Sequence, residues 1–258
     1  MRPGAGAVAG VVVVVAALSG GLVAPHDPAA VVGTPFSVPG GAFPLGTDGL
    51  GRDVLSRVLA GGARLVLLAL AGGAAATAAG VVVGLLAGWV GGVTDRLLTA
   101  ALDLLAALPL LLVALVLAVA VPGGAAVVVA AVAGGAPLTA RVVRDAASRF
   151  RGSGWVEAAR GRGESTGAVL VRELAPALGP LVAADAALRF VLGLQLACTV
   201  ALLGFGPQPP SPDWALMLRE NLPGAALNPA GVAAPAAALV LLACGVAWSA
   251  LSRRGVAG

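Results

Sequence analysis

Between Arg64 and Asp95 lie thirty consecutive residues without an acidic, basic or histidine side chain. No other feature restricts the fold so much. A helix needs roughly 20 apolar residues to cross a bilayer core, and this run exceeds that. Inside lipid every backbone polar group must be paired within the chain, so an apolar run of this length folds as a helix. The run is not an isolated patch. Hydrophobic residues make up 59% of the 258-residue chain and charged residues 11%, against about 25% charged in soluble domains. Mean hydropathy is +0.99. Water-soluble packing cannot hide so much apolar surface. The expected class is an all-α integral membrane protein.

Six spans are expected. The first runs from Gly4 to Val23 after Arg2 and reads as an anchor, being long for a cleaved signal peptide. The others cover about 64–89, 95–121, 125–143, 174–204 and 230–251, with breaks at Gly91-Gly92 and Pro122-Gly123-Gly124. Residues 1–63 form an N-terminal transmembrane helix and an external loop; residues 64–258 form a five-helix core. The Pro/Gly-rich loop 24–63 holds a short helix at Arg52–Ala60, and a second polar loop covers 205–229. With the N-terminus inside, eleven arginines fall in inner segments and four, Arg52, Arg57, Arg64 and Arg219, outside. That bias places both termini in the cytoplasm and loops 24–63 and 205–229 outside.

The missing residue types exclude chemistry. Without Lys there is no P-loop lysine and no Schiff base. One histidine, His26, rules out a multi-histidine metal site, and Cys198 and Cys244 sit in apolar runs without ligand spacing. No metal site is expected. The net charge of +4 comes from arginines alone. With no basic domain and few aromatics, it fits membrane borders rather than nucleic acid. The lack of Lys and Tyr reads as codon bias.

Asp103, Asp185 and Arg189 fall inside spans. A centred Asp costs roughly 2.5–3.5 kcal/mol. The eleven leucines of the third span, at about 0.3–0.6 kcal/mol each, outweigh that cost. Asp103 should therefore face protein or water. Asp185 and Arg189 stand at i,i+4, in the favourable order for a helical ion pair. Two readings stay open. These groups, with Gln195, line a cavity for a polar substrate, or they are buried structural contacts. Gly80, Gly84 and Gly88 share one helix face, which permits close helix packing, within the chain or with a partner subunit.

One polar stretch interrupts the chain, about 144–172, where a connection of 2–8 residues would suffice. Ser153 can cap a helix whose first turn holds Glu157. "WVEAAR" is a good short helix, and Gly161 and Gly163 break it. Glu164 and Ser165 are available as caps, and helix resumes from about Ala168. Ala158 and Ala159 offer a low-profile surface flanked by charges, suited to a groove on a soluble partner. An amphipathic hairpin lying on anionic lipid fits equally well.

The same stretch resembles the "EAA" loop of permease subunits of ABC importers: Glu157, Ala158 and Ala159, then Gly163, with a Leu174-Ala175-Pro176 tail. "PLGTDGLGRDVLSRVLAGGARL" (Pro44–Leu65), "GGVTDRLLTAALDLLAALP" (Gly91–Pro109), "TARVVR" (Thr139–Arg144) and "LLGFGPQPPSPDWALML" (Leu202–Leu218) are similar to the dipeptide, oligopeptide and nickel permeases, C-type subunit. The resemblance implies a type I importer permease fold and a non-catalytic subunit forming half of a translocation pathway. It implies a coupling helix at Glu157, Ala158, Ala159, Arg160 and Gly163. Its partners would be cytoplasmic ATPases that bind ATP and Mg²⁺, a second homologous permease, and an external substrate-binding protein. Asp48, Arg52, Asp53 and Trp214 then belong to the external receiving loops. Phe43, Glu173, Ala197 and Val200-Ala201 depart from the family pattern, which bears on the substrate rather than the transport class. A channel or secondary transporter independent of ATP is the alternative, and would need Asp103, Asp185 and Arg189 as relay groups. A structural membrane scaffold is a third class.

Overall fold

The computed structural model describes residues 5–121 and 123–254. Among these the secondary structure is helical, with only isolated β-bridges in the 31–53 region. The helices are α1 (Ala5–Ser19), α2 (Val54–Ala60), α3 (Ala63–Val90), α4 (Gly92–Ala107), α5 (Leu110–Ala120) and α6 (Ala125–Arg151). They continue with α7 (Gly154–Gly161), α8 (Thr166–Ala168), α9 (Ala175–Val200), α10 (Trp214–Asn221) and α11 (Ala230–Arg254). Wide π-type turns over Val169–Leu174 and Ala201–Phe205 flank α9.

Among the described residues four stretches are long and apolar enough to cross a membrane: Val54–Val90, Ala125–Arg151, Thr166–Phe205 and Ala230–Ala250. The region expected as one straight span at 95–121 is instead two helices, α4 and α5, bent by 80°. The break has a local cause. Pro109 lacks an N–H and disfavours helix at the residue before it, and Leu108 is extended at φ −75°, ψ 131°. Counting the bent pair as one span gives five. The N-terminal apolar helix is shorter, covering Val8–Val23 with its final 3-10 turn.

The fourth span was expected to stop near residue 143, but α6 runs on to Arg151. Its apolar face continues through Val143, Ala146 and Ala147, all buried. That face packs on α3. Gly72 lies against Ala131, Gly80 against Thr139, Gly84 against Ala140 and Val143, and Gly88 against Arg144 and Ala147. Each turn on α3 is matched by one turn on α6, so the two helices run parallel and in register. Glycine is required there: a Cβ on Gly84 or Gly88 would stand 2.6 or 2.5 Å from the carbonyl oxygens of Ala140 and Arg144. The small-residue face is thus used inside the chain. α9 crosses both helices in the opposite direction, touching α3 where Phe190 meets Gly73 and where Gly193 meets Ala69.

Two apolar cores result. The larger joins α3, α6, α9, α10 and α11 around Leu65, Phe190, Leu194, Trp214 and Met217. The smaller lies at the opposite end of α3 and unites Trp89, Val143, Val156, Ala159, Val169, Leu174 and Leu178. The bundle therefore has a loop end, built by residues 24–63 and 205–229, and a hairpin end, built by α7 and the turns leading into α9.

Candidate functional site

At the hairpin end, α7 starts where the backbone N–H groups of Val156 and Glu157 bond to the carbonyl of Ser153, at 3.0 and 3.2 Å. The Ser153 hydroxyl, expected as a cap, turns back and donates to Phe150 C=O at 2.6 Å. At the other end Gly163 has φ +78° and the Glu164 N–H bonds to Ala159 C=O at 3.2 Å. This is a Schellman-type stop, which favours glycine at the left-handed position. Ser165 caps the next turn, accepting from Ala168 N–H at 3.3 Å, while Glu164 pairs with Arg162 at 2.7 Å.

The faces of α7 are distinct. Val156 and Ala159, three residues apart, are fully buried in the core that also holds Val169, Leu174 and Trp89. Glu157, Ala158 and Trp155 face outward, and Trp155 tilts against Phe150 with ring centroids 5.8 Å apart. This corrects the sequence reading of a flat Ala158–Ala159 surface. Ala159 is the seat of the helix, and the exposed face is carried by Trp155, Glu157 and Ala158. The Arg160 side chain lies outside the described residues. Val169 and Leu174 lead straight into α9, and Trp89 and Val143 belong to α3 and α6, so α7 shares one apolar core with the ends of three long helices.

The loop end is closed by buried charges. Asp48 Oδ2 accepts from Arg52 Nε at 2.7 Å and from Arg57 Nη1 at 2.8 Å. Both arginines also donate from Nη2 to Glu220 Oε2, at 2.9 and 3.0 Å. Asp48 Oδ1 accepts the backbone N–H groups of Leu50 and Arg52. Two cations lie between two carboxylates, and Asp48, Arg52 and Arg57 are almost entirely hidden from solvent. Asp53 caps α2, accepting from the N–H groups of Leu55 and Ser56 and from the Ser56 hydroxyl, and meets His26 Nδ1 at 3.1 Å. The Trp214 indole N–H donates to Val58 C=O at 2.6 Å and its ring covers Gly62. Asn228 donates to the carbonyls of Leu45 and Thr47, both at 3.0 Å. Asp48, Arg52, Asp53 and Trp214, expected on receiving loops, are thus the internal frame of those loops rather than their surface.

Burial pushes the Glu220 carboxyl above its ordinary value, against the pull of Arg52. Burial does the same to Asp213, the cap of α10, whose Oδ2 stands 3.5 Å from Arg64 Nη1 without hydrogen-bond geometry.

Mid-bundle, the Asp185–Arg189 pair forms as its spacing predicts, at 3.1 Å. It is buried among α3, α6 and α9, and Asp185 also accepts from Thr139 Oγ1 at 2.5 Å. Its position fits the structural-contact alternative. Asp103 pairs with Arg141 at 2.6 Å, and both stay about half exposed (56% and 46%). Asp95 takes a two-point bond from Arg144, at 2.5 and 2.7 Å. Gln195 is exposed and sits apart from these pairs, between two otherwise mainly apolar clefts of about 300 and 320 Å³ on α9. Thr139, Arg141 and Arg144 on one short stretch of α6 thus hold acids on two different helices. The sequence signal was the density of polar positions in "TARVVR"; the residues they hold were not legible.

Residues 80–256 match the family described as binding-protein-dependent transport system inner membrane component. The chain belongs to that family. It is a multi-pass protein of the bacterial inner membrane. Its relatives in this family include the glutathione transport system permease protein GsiD of Pectobacterium atrosepticum, 34% identical over 187 residues, 70% of this chain and 61% of that protein. The di/tripeptide transport system permease protein DppC of Pseudomonas aeruginosa is 33% identical over 215 residues, 80% of this chain and 71% of that one. GsiD of Escherichia coli O157:H7 is 32% identical over 205 residues, covering 76% and 65%. The chain spans slightly under two thirds of the two glutathione permeases.

Proposed function

We propose that this chain is one half of the translocation pathway of an ATP-driven importer for peptides or a related small solute. The observation that carries the reading is α7. Its exposed face, Trp155, Glu157 and Ala158, is presented by a helix whose buried face, Val156 and Ala159, lies in one core with Trp89 of α3, Val143 of α6 and the Val169–Leu174 turn that leads into α9. A soluble partner that gripped the outer face would move three long helices together. The absence of lysine leaves nucleotide binding in the P-loop manner, with its Mg²⁺, to that partner. The partner is a cytoplasmic ATPase of the ABC type, gripping Glu157 to Gly163.

In this reading the hairpin end is cytoplasmic and the loop end external. There are six spans, with the short α1 among them and both termini inside. The loop end meets a substrate-binding protein. A second, homologous permease completes the pathway, and lipid surrounds the pair. Asp103, held by Arg141 but half exposed, and Gln195 are the side chains of this chain that line the route. Asp185 and Arg189 brace it from within. The names of the relatives favour glutathione-like and short peptides over nickel as cargo.

Co-purification with the products of neighbouring genes tests the reading. A stoichiometric ATPase and uptake that stops when ATP is depleted are expected. Uptake that continues without ATP, driven by the membrane potential, would overturn it in favour of a secondary transporter.

A further inference from the structure

Arg189 leaves α9 at the point where that helix crosses α3 and α6. A Cβ on Gly135 of α6 would stand 3.3 Å from Arg189 Cδ and 2.8 Å from the Ala76 Cβ of α3. A Cβ on Gly73 would meet the Arg189 backbone carbonyl carbon at 3.2 Å. Thr77 follows Ala76 directly and sits one turn beyond Gly73, which puts it at the level of the same crossing. Arg189 Nη2 donates to Asp185, but Nε and Nη1 have no partner among the described residues, and neither has Thr77 Oγ1. Both residues are 8% exposed.

Buried donors without acceptors are strongly disfavoured, and native structures satisfy nearly all of them. Three occupants compete for these groups. An anion would add a net charge to a layer where Asp185 and Arg189 already cancel, at a heavy desolvation penalty. A solute group would have to pass the close contacts of Gly73, Ala76 and Gly135 to reach two residues that are each only 8% exposed. A water molecule is neutral, accepts from a guanidinium and donates to a hydroxyl, and needs only two to four polar partners.

We propose that at least one ordered water is bound between α3, α6 and α9, bridging the free N–H groups of Arg189 to Thr77 Oγ1. It makes the crossing of the three helices a hydrated joint. Water-mediated bonds hold nearly as well as direct ones and can re-form when the partners shift. This inference does not depend on the transport reading.

The test is the full transporter complex in lipid nanodiscs, imaged at a resolution that reveals ordered water. A density peak within about 2.7–3.2 Å of an Arg189 nitrogen and of Thr77 Oγ1 is expected. No peak, or Arg189 Nε and Nη1 on protein acceptors, overturns the proposal. Thr77→Val keeps the shape and removes the hydroxyl. It should displace the peak and lower the melting temperature by about 2–4 °C, while Thr77→Ser restores both. In an Asp185→Leu, Arg189→Met background the valine change should no longer lower the melting temperature. An equal drop in both backgrounds would mean that Thr77 acts by packing alone, against the proposal.

Discussion

The two ends of the bundle use their charges in opposite ways. At the loop end Arg52 and Arg57 are buried, and each bonds to both Asp48 and Glu220. At the hairpin end Glu157 is exposed, and Arg162 with Glu164 forms a pair in which the arginine is mostly in solvent. A buried network is costly to assemble and worse to break, so it fixes one shape. Exposed charges contribute little to stability, so they are free to serve a partner. The contrast teaches that charge density does not locate a docking surface. The loop end is richer in motif-bearing charges, yet they are spent internally.

The strongest blow to this comparison would come from Arg57. Arg57→Leu leaves two buried carboxylates, Asp48 and Glu220, to share Arg52 alone, and a loss of about 3–5 kcal/mol is expected. Thermal melting of the purified protein in nanodiscs reads it, and an unchanged midpoint would mean that the loop-end network does not hold the fold. At the hairpin end two adjacent alanines separate seat from surface. Ala159→Leu should destabilise by about 1–3 kcal/mol through overpacking and expose the Arg162 bond to trypsin. Ala158→Leu should stay within about 0.5 kcal/mol yet impair ATP-driven uptake in the assembled transporter. Equal melting shifts for the two would erase the assignment of faces.

Smaller effects sharpen the picture. Gly163→Ala places a side chain at φ +78° and should cost about 1–2 kcal/mol, seen as faster amide exchange confined to α7 and the following turn. Glu157→Arg should leave melting unchanged while uptake falls; preserved uptake would deny α7 its coupling role. The smallest effect is a pH slope. Burial raises Glu220 and Asp213 above their ordinary values of 4.5 and 3.8. The folded loop end therefore binds those protons more tightly than the unfolded chain. Their stabilisation is full below the ordinary values and is lost as pH rises through the raised ones. Acidifying from neutral pH toward 5 should raise the loop end's melting midpoint slightly. Glu220→Gln should flatten that slope, and an unaltered slope would assign it elsewhere.

Much of this was legible from residues. The long uncharged run is α3, the short helix near Arg52–Ala60 is α2, and the i,i+4 pair on α9 forms. What was not legible has physical reasons. Charged residues are presumed exposed, and Arg57 meets Glu220 across 163 residues, so nothing local reveals that both arginines are buried. Proline is equally ambiguous. Pro137, Pro180 and Pro235 stay inside α6, α9 and α11, while Pro109 splits a span. Pro137 sits where α6 packs closely on both neighbours, Ala136 and Thr139 meeting Gly80 of α3 and Thr139 bonding Asp185 of α9. The phase of α7 was readable in principle. Val156 and Ala159 stand three apart, which already selects them as the inward pair.

The parallel register of α3 and α6 has a mechanical meaning. Two helices locked turn for turn by glycines cannot slide past one another without lifting backbone off backbone. They behave as one stiff spar about 40 Å long at 1.5 Å per residue. Such a spar does not stretch or shear; it can only tilt. A tilt of about 5° would sweep one tip through about 3–4 Å over that length. Force applied near Gly88 would therefore arrive at Arg64, the first turn beyond the loop-end clamp, as displacement, with little absorbed on the way.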